Sequence, residues 1–379
     1  MKPAGTLRVA TVVGTRPEII RLSRTLAALD RHTDHILIHT GQNYDYGLSQ
    51  VFFDQLELRP PDHHLDAAEG SALATIGAIL TRLDPLLDEI APDALLVLGD
   101  TNSCLAVIAA KRKQIPVFHM EAGNRCHDDR VPEEINRRLV DHLSDVNLPY
   151  SDLAREYLLR EGLPPERVIK TGSPMREVLD HYAPKIAAST AIDDLGLAAG
   201  EYFVVSCHRQ ENVDDPERLD RLVALFDRLG RTFDRPIVFS AHPRTRKRLE
   251  AAGATLHPHV QLLEPLGFFD WVSLQQSARA VLSDSGTITE ESSILGFPAV
   301  NLRDTHERPE GMEEAAVMLT GLDLDRIFQA LEILRDQPRG DARRFGRVRD
   351  YEVPVVSEKV VRIILSYTDV VNRVVWRRD

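Results

Sequence analysis

Short β-branched runs alternate with helical stretches along almost the whole chain, and that rhythm occurs twice. The first series places strands at Val9–Val13, Ile36–His39, Ala94–Leu98, Val117–His119, Val146–Leu148 and Val168–Lys170. Between them Leu22–Leu29, Ala72–Ile90 and Leu105–Arg112 carry helical periodicity. Strands alternating with helices build right-handed βαβ units on a parallel sheet. The rhythm pauses over Ala183–Gly200, rich in Ala, Gly and Asp. It restarts with strands at Tyr202–Ser206, Ile237–Ser240, Val260–Leu263, Ala280–Ser283 and Ala299–Asn301. The expected fold is α/β: two Rossmann-like domains, residues 1–182 and 183–354, facing a cleft and joined by a linker near 180–200. From Val355 to Trp376 the apolar positions Val360, Ile364, Val371 and Val375 suit a long amphipathic helix. Such a helix, within 355–379, can cross back onto the first domain.

A length of 379 residues suits two domains. The formal net charge of −12 argues against nucleic acid or an anionic membrane as partner, since both need a basic face. A few focused arginines can still hold a small anion. Three cysteines, Cys104, Cys126 and Cys207, imply no disulfide framework and suit a reducing compartment. Nothing ahead of Leu7–Val13 reads as a signal peptide, and no apolar run approaches the ~20 residues that span a bilayer. A cytoplasmic protein is expected.

Chemistry concentrates where strands end. Leu95–Leu98 leads into Gly99-Asp-Thr-Asn102, and Val117–His119 into Met120-Glu-Ala-Gly123. Each apolar run therefore delivers an acid, Asp100 or Glu121, at or just beyond a strand's carboxyl end, where ligands bind in open α/β sheets. A third acid, Glu133, follows a short loop in Pro132-Glu-Glu-Ile-Asn-Arg137. Carboxylates sharing a crevice can do proton chemistry when their environments separate their pKa values. Asp100 can instead serve as a helix cap.

Gly14-Thr-Arg-Pro-Glu18 follows the first strand. Gly14 allows a tight turn, Pro17 suits a first helical turn, and Arg16 at the positive end makes an anion site. Ser283-Asp-Ser-Gly-Thr-Ile-Thr-Glu-Glu291 is the second-domain counterpart. There the backbone around Ser285 and Gly286 can cradle a diphosphate, and Glu291 can accept from ribose hydroxyls. Cys207-His-Arg-Gln-Glu-Asn212 puts His208 and Arg209 at another strand end, where they can meet a phosphate or stay structural. His119, Glu121, His127 and Asp128 scatter like metal ligands, but HExxH and CxxC spacings are missing, so no metal is expected. GxGxxG, GxSxG and Walker A patterns are also missing.

With these residues laid out, the chain resembles the non-hydrolysing UDP-N-acetylglucosamine 2-epimerases over nearly its whole length. The resemblance rests on Gly14-Thr-Arg-Pro-Glu18, His39-Thr-Gly-Gln42, Gly99-Asp-Thr101, His119-Met-Glu-Ala-Gly123 and Pro132-Glu-Glu-x-Asn-Arg137. It continues through His208-Arg-x-Glu-Asn212, Asp284-Ser-Gly286 with Glu290-Glu291, and Glu307-Arg-Pro-Glu310. It implies a glycosyltransferase-B-like fold closing over a UDP-sugar, a homodimer, and no cofactor. It places Asp100, Glu121, Glu133 and His208 in catalysis. Arg16, Arg21, Ser285, Gly286, Glu291 and Arg308 fall on UDP contacts, with Phe269 or Trp271 packed on the uracil. The implied chemistry removes the C2 proton, expels UDP to leave 2-acetamidoglucal, and adds UDP back after reprotonation on the other face.

The chain departs from the family pattern in four places. Arg21 stands where a lysine is usual, and the loop between Glu121 and Pro132 is short. Gly286-Thr287 replaces Gly-Gly, and Gln42-Asn-Tyr-Asp45 departs from the glutamine-rich pattern that supports an allosteric second UDP-GlcNAc. These departures also resemble the branch that converts UDP-2-acetamido-2,6-dideoxy-L-talose to UDP-N-acetyl-L-fucosamine. A glycosyltransferase of the same fold and a non-catalytic UDP-sugar sensor are the readings from other classes.

Overall fold

The structure, a computed structural model, describes residues 5–42 and 52–378. The chain divides into two compact units, 1–178 with 350–379 and 179–349.

Unit 1 holds six strands: β1 (Arg8–Val13), β2 (Asp34–His39), β3 (His63–His64), β4 (Ala94–Leu98), β5 (Val117–Met120) and β6 (Val146–Leu148). All pair in parallel, in the order β3-β2-β1-β4-β5-β6. Unit 2 holds β7 (Phe203–Ser206), β8 (Ile237–Ser240), β9 (Val260–Leu263), β10 (Ala280–Ser283), β11 (Ala299–Asn301) and β12 (Met318–Leu319). Its order, β12-β11-β10-β7-β8-β9, is the same doubly wound topology over again. The expected α/β class is thus what the chain adopts, once per unit.

The central strands are apolar at nearly every position because helices cover both of their faces. In unit 1, Ala10, Val12, Leu95, Val97 and Val117 pack against Ile79, Leu83 and Leu87 of helix Ala72–Ile90. In unit 2, Phe203, Val205, Ile237 and Phe239 pack against Leu222, Leu225, Phe226 and Leu229 of helix Pro216–Phe233. Truncating Phe226, which is fully buried, should cost about 3–5 kcal/mol by leaving a cavity.

Helix Ser357–Val371 lies in unit 1, packed along helix Arg16–His32. Its start is capped by Glu177, which accepts from the N–H groups of Val356 and Ser357, both at 2.8 Å. The helix gives way to a π turn at Asn372–Trp376, short of the uninterrupted run expected to Trp376.

Other expectations need correction. Val168–Lys170 is no strand: Val168 makes one isolated bridge to Asn147. A 3-10 turn at Pro165–Arg167 and Gly172 in a left-handed conformation leave no length for a ladder. The stretch read as a linker near 180–200 is structured. Helix Met175–Ala187 runs into it and helix Ala191–Asp194 follows, with Ile192, Leu195 and Leu197 packed into unit 2's core. The units accordingly divide after residue 178 and after residue 349, not after 182 and 354.

Candidate active site

The crevice of a doubly wound sheet opens where strand order reverses. That place lies between β1 and β4 in unit 1 and between β7 and β10 in unit 2. The four loops leaving these strands carry Gly14–Glu18, Gly99–Asn102, Cys207–Asn212 and Asp284–Thr287.

In unit 1, Thr15 caps helix Arg16–His32 and forms a capping box with Glu18. Gly14 is required by space and not by a left-handed turn. A Cβ there would lie 2.0 Å from the Ser103 hydroxyl and 2.2 Å from that of Thr40. Arg16 is half-buried, its guanidinium carbon 5.2 Å from the ring centroid of Phe52.

Asp100 follows β4, and its Oδ2 accepts from Arg137 Nε at 2.9 Å and lies 2.7 Å from Nη2. Its side chain keeps 26% of its surface exposed. Thr101, not Asp100, is the helix cap, its hydroxyl accepting from Ser103 N at 3.2 Å. Glu121 follows the neighbouring strand β5 with φ of 63°, a left-handed conformation that costs an ordinary residue about 1–2 kcal/mol. Strain of this kind clusters at functional sites. The Glu121 carboxylate pairs with Arg21, both side chains under a tenth exposed, and accepts from Asn124 Nδ2 at 3.3 Å. A Cβ on Gly99 would lie 3.8 Å from Glu121 Oε2, so the two acid turns are neighbours.

The two glutamates at the start of helix Pro132–Leu143 differ sharply. Glu133 is half-buried, and its side chain has no hydrogen bond or ion pair among the described residues. Glu134 is fully buried and accepts from Cys126 N at 3.0 Å, Arg137 Nη1 at 3.0 Å and Arg138 Nη2 at 2.9 Å. Burial pushes its carboxyl up, but these donors outweigh burial and hold it below the ordinary value. Arg137 thus joins Glu134 to Asp100.

The scattered metal-like residues have other partners. His119 is fully buried, with Nε2 2.8 Å from the Gly99 carbonyl and Nδ1 2.9 Å from Asp141 Oδ1. The His127 ring packs edge-on against Tyr157. Asp128 is held at about 2 by hydrogen bonds from Arg130. No group of three potential ligands with metal-holding geometry occurs among the described residues. Of the Gln42–Asp45 stretch, only Gln42 lies within the described residues, accepting from the N–H and hydroxyl of Ser103 at 3.1 and 3.0 Å.

In unit 2 the buried carboxylate of Asp284 organises the site. It accepts from the N–H groups of His208 and Arg209, each at 2.9 Å, and from Asn212 Nδ2 at 3.1 Å. Burial raises its carboxyl, but the nearby His208 charge and these hydrogen bonds bring it below the ordinary value. The His208 side chain remains 42% exposed, its Nδ1 3.2 Å from Asp284 Oδ1. Ser285 Oγ lies 3.0 Å from the Thr287 hydroxyl at the start of helix Thr287–Leu295. A Cβ on Gly286 would meet Glu307 Oε1 at 2.3 Å, so the end of that side chain would have to move.

Arg308 is buried, donating from Nε to the Gly286 carbonyl at 3.0 Å, with Nη2 3.0 Å from Glu290. Glu291 is buried too and accepts from Gln275 Nε2 at 2.8 Å. Gln275 lies one turn along helix Phe268–Ser277 from Trp271, which is half-buried against the core. That bond fixes the tryptophan's helix to the serine-loop helix. Sequence reasoning missed Glu18, Thr101, Arg137 and Asp284 as organisers. A capping-box pattern at Thr15-x-x-Glu18 was the one available signal.

Comparison with known proteins identifies the family. The family model described as UDP-N-acetylglucosamine 2-epimerase matches residues 27–365. The UDP-N-acetylglucosamine 2-epimerase of Methanocaldococcus jannaschii is 34% identical over 374 residues, covering 94% of this chain and 99% of its own. A crystal structure of that protein in complex with UDP-GlcNAc and UDP has a TM-score of 0.86, at 32% identity over 95% of this chain and 100% of that one. The Rickettsia bellii UDP-N-acetylglucosamine 2-epimerase structure has a TM-score of 0.92 at 47% identity, covering 98% of this chain and 100% of that one. The Pseudomonas aeruginosa UDP-2,3-diacetamido-2,3-dideoxy-D-glucuronate 2-epimerase is 34% identical over 330 residues, 86% of this chain and 91% of its own. With a family model spanning most of its length and relatives above 30% identical over nearly all of it, the chain belongs to the UDP-N-acetylglucosamine 2-epimerase family.

Proposed function

We propose that this protein is an isomerase that interconverts UDP-GlcNAc and UDP-ManNAc by inversion at C2, without a cofactor. The observation that carries the reading is the pair of acids after the neighbouring strands β4 and β5 of unit 1, each held by a buried arginine.

A carboxylate takes the C2 proton, and the C2–H electron pair becomes the C1=C2 double bond. The C1–O bond breaks and UDP leaves with its electrons, giving 2-acetamidoglucal. In the return half, UDP oxygen attacks C1 and a carboxyl group protonates the opposite face of C2. A C2 proton is a poor acid, so base placement and stabilisation of departing UDP share the barrier. Asp100, Glu121 and Glu133 serve the proton steps. Arg16, Arg21, His208 and the Ser285–Gly286 turn meet the growing charge on UDP. Glu291 and Trp271 serve the nucleoside, and Arg308 acts on the turn whose carbonyl it holds.

The test supplies UDP-GlcNAc in deuterated water with no acceptor. Reversible formation of UDP-ManNAc with deuterium at C2 of product and recovered substrate is expected. Transfer that occurs only when an acceptor is added would replace this reading with a glycosyltransferase, and tight UDP binding without turnover with a sensor. The identity shared with the diacetamido-glucuronate epimerase favours a panel that includes C3- and C6-modified sugars. Turnover of such a sugar, or of UDP-2-acetamido-2,6-dideoxy-L-talose, with UDP-GlcNAc inert keeps the reaction class and changes the substrate.

We assign the protein to the cytoplasm as a homodimer. All three cysteines are free, and no helix among the described residues is long and apolar enough to cross a membrane. Helix Pro132–Leu143 buries its charged face and exposes Ile135 at 52% and Leu139 at 46%, one turn apart, which suits a second copy. A monomer by sedimentation would remove the dimer.

A further inference from the structure

Glu18 is only 2% exposed, yet its carboxylate collects donors from two separate loops. Oε2 accepts from Gly14 N at 2.9 Å, Thr15 N at 2.7 Å and the Thr15 hydroxyl at 2.8 Å. Oε1 accepts from the Thr101 hydroxyl at 2.9 Å, with the Cys104 thiol 3.6 Å away. A capping box needs only the first set, a return to the start of its own helix. The bond to Thr101 reaches 83 residues along the chain, to the residue next to Asp100.

Burying a carboxyl is costly, and burial here pushes that of Glu18 above its ordinary value against the pull of its donors. A helix start alone could be held at less cost by a surface cap. Thr101 is fixed from both sides, donating to Glu18 and accepting from Ser103 N. The backbone that aims Asp100 is therefore tied to the turn that aims Arg16. Three residues further along the same helix, Arg21 meets Glu121, so one helical turn reaches both acid loops.

We propose that Glu18 is a positioning residue for Asp100, locking through the Thr101 hydroxyl the turn that carries this acid to the turn that carries Arg16. The proposal rests on the epimerase reading for the reaction it affects. Proton abstraction from carbon is sensitive to placement, and a displacement near 1 Å can cost about a hundredfold.

The experiment compares Thr101→Val, which keeps the shape without the hydroxyl, with Thr101→Ser, which keeps the hydroxyl. Thr101→Val should lower kcat on UDP-GlcNAc about ten- to a hundredfold, with UDP affinity by calorimetry unchanged. Thr101→Ser should recover most of that loss. Glu18→Ala should lose UDP affinity as well, because both loops loosen. Adding Thr101→Val to Glu18→Ala should then cost less kcat than Thr101→Val costs alone, since the bond to Glu18 can be lost only once and only the cap on Ser103 N is left to lose. A folded Thr101→Val with wild-type kcat would reduce Glu18 to a helix cap and overturn the proposal, as would losses that multiply in the double variant.

Peptide hydrogen exchange gives a readout independent of turnover and of whether Glu18→Ala folds. UDP should slow exchange over residues 99–106 in the wild type and not in Thr101→Val. Equal slowing in both would also overturn the coupling. A wild type that binds UDP but epimerises no UDP-sugar would sink the activity reading instead, and the exchange result would still decide the role of Glu18.

Discussion

The two units differ in which charged groups stand at their strand ends. In unit 1 the buried cations Arg21 and Arg137 hold acids, and those acids, Glu121 and Asp100, stand at the strand ends. In unit 2 buried acids hold the frame. Asp284 anchors the backbone of His208 and Arg209, and Glu290 anchors Arg308. What unit 2 leaves at its switch point is an exposed imidazole, a serine hydroxyl and a helix start. Identical topology therefore presents carboxylates in one unit and an imidazole, a hydroxyl and a helix start in the other. In the proposed reaction the first set serves proton transfer and the second the diphosphate.

The contrast breaks most visibly at the acids. Asp100→Asn, Glu121→Gln and Glu133→Gln keep shape and remove the base, so turnover should fall about 10²–10⁴-fold while UDP affinity holds. Comparable loss of UDP affinity would move the acids from chemistry to scaffolding, as in unit 2. The next largest effect is expected on stability. Arg308→Ala leaves Glu290 buried without its cation and should cost about 3–5 kcal/mol by denaturant unfolding, with weaker UDP binding. Unchanged UDP affinity would detach Arg308 from the nucleotide end.

A smaller effect sharpens the comparison through its sign. Asp284 titrates below its ordinary 3.8 in the folded protein, so its contribution is present above that value and is lost as pH falls through the folded one. Glu18 titrates above its ordinary 4.5, so its contribution is present below that value and is lost as pH rises through the folded one. Asp284→Asn should flatten the acid side of the stability profile, at an overall cost of about 1–3 kcal/mol for the donors left without a charge. Glu18→Gln should gain relative to wild type as pH rises past 4.5. Profiles that shift in the same direction would contradict the opposed environments.

How much of this was legible follows the same division. The strands were readable because sheets covered on both faces need unbroken apolar runs, and the acids because they end such runs. Two-residue strands such as β3 and β12 are too short to show a pattern. The partners of the acids were hidden because hydrophobic periodicity fails where a buried face is charged. Helix Pro132–Leu143 buries Glu134, Asn136, Arg137 and Asp141 while exposing Ile135 and Leu139, the reverse of what its apolar spacing suggests. Glu133 and Glu134 are adjacent and chemically alike, and only the helix's orientation separates a carboxylate that is available from one that is fully engaged.

The smallest expected effect uses a pair of built-in reporters. Cys104 lies against Glu18 in unit 1, and Cys207 lies beside Asp284 in unit 2. Burial pushes both thiols well above their ordinary value, so each should react only when its surroundings open. Cys126 is half-buried and should be labelled first, an internal control for reagent strength. If most UDP-binding groups belong to unit 2, UDP at ten times its dissociation constant should slow labelling of Cys207 about tenfold. Cys104 should be slowed less, because unit 1 contributes chiefly the acids, which gain little from UDP alone. Equal slowing at both thiols would spread the binding energy evenly over the units and dissolve the contrast between a chemical half and a binding half.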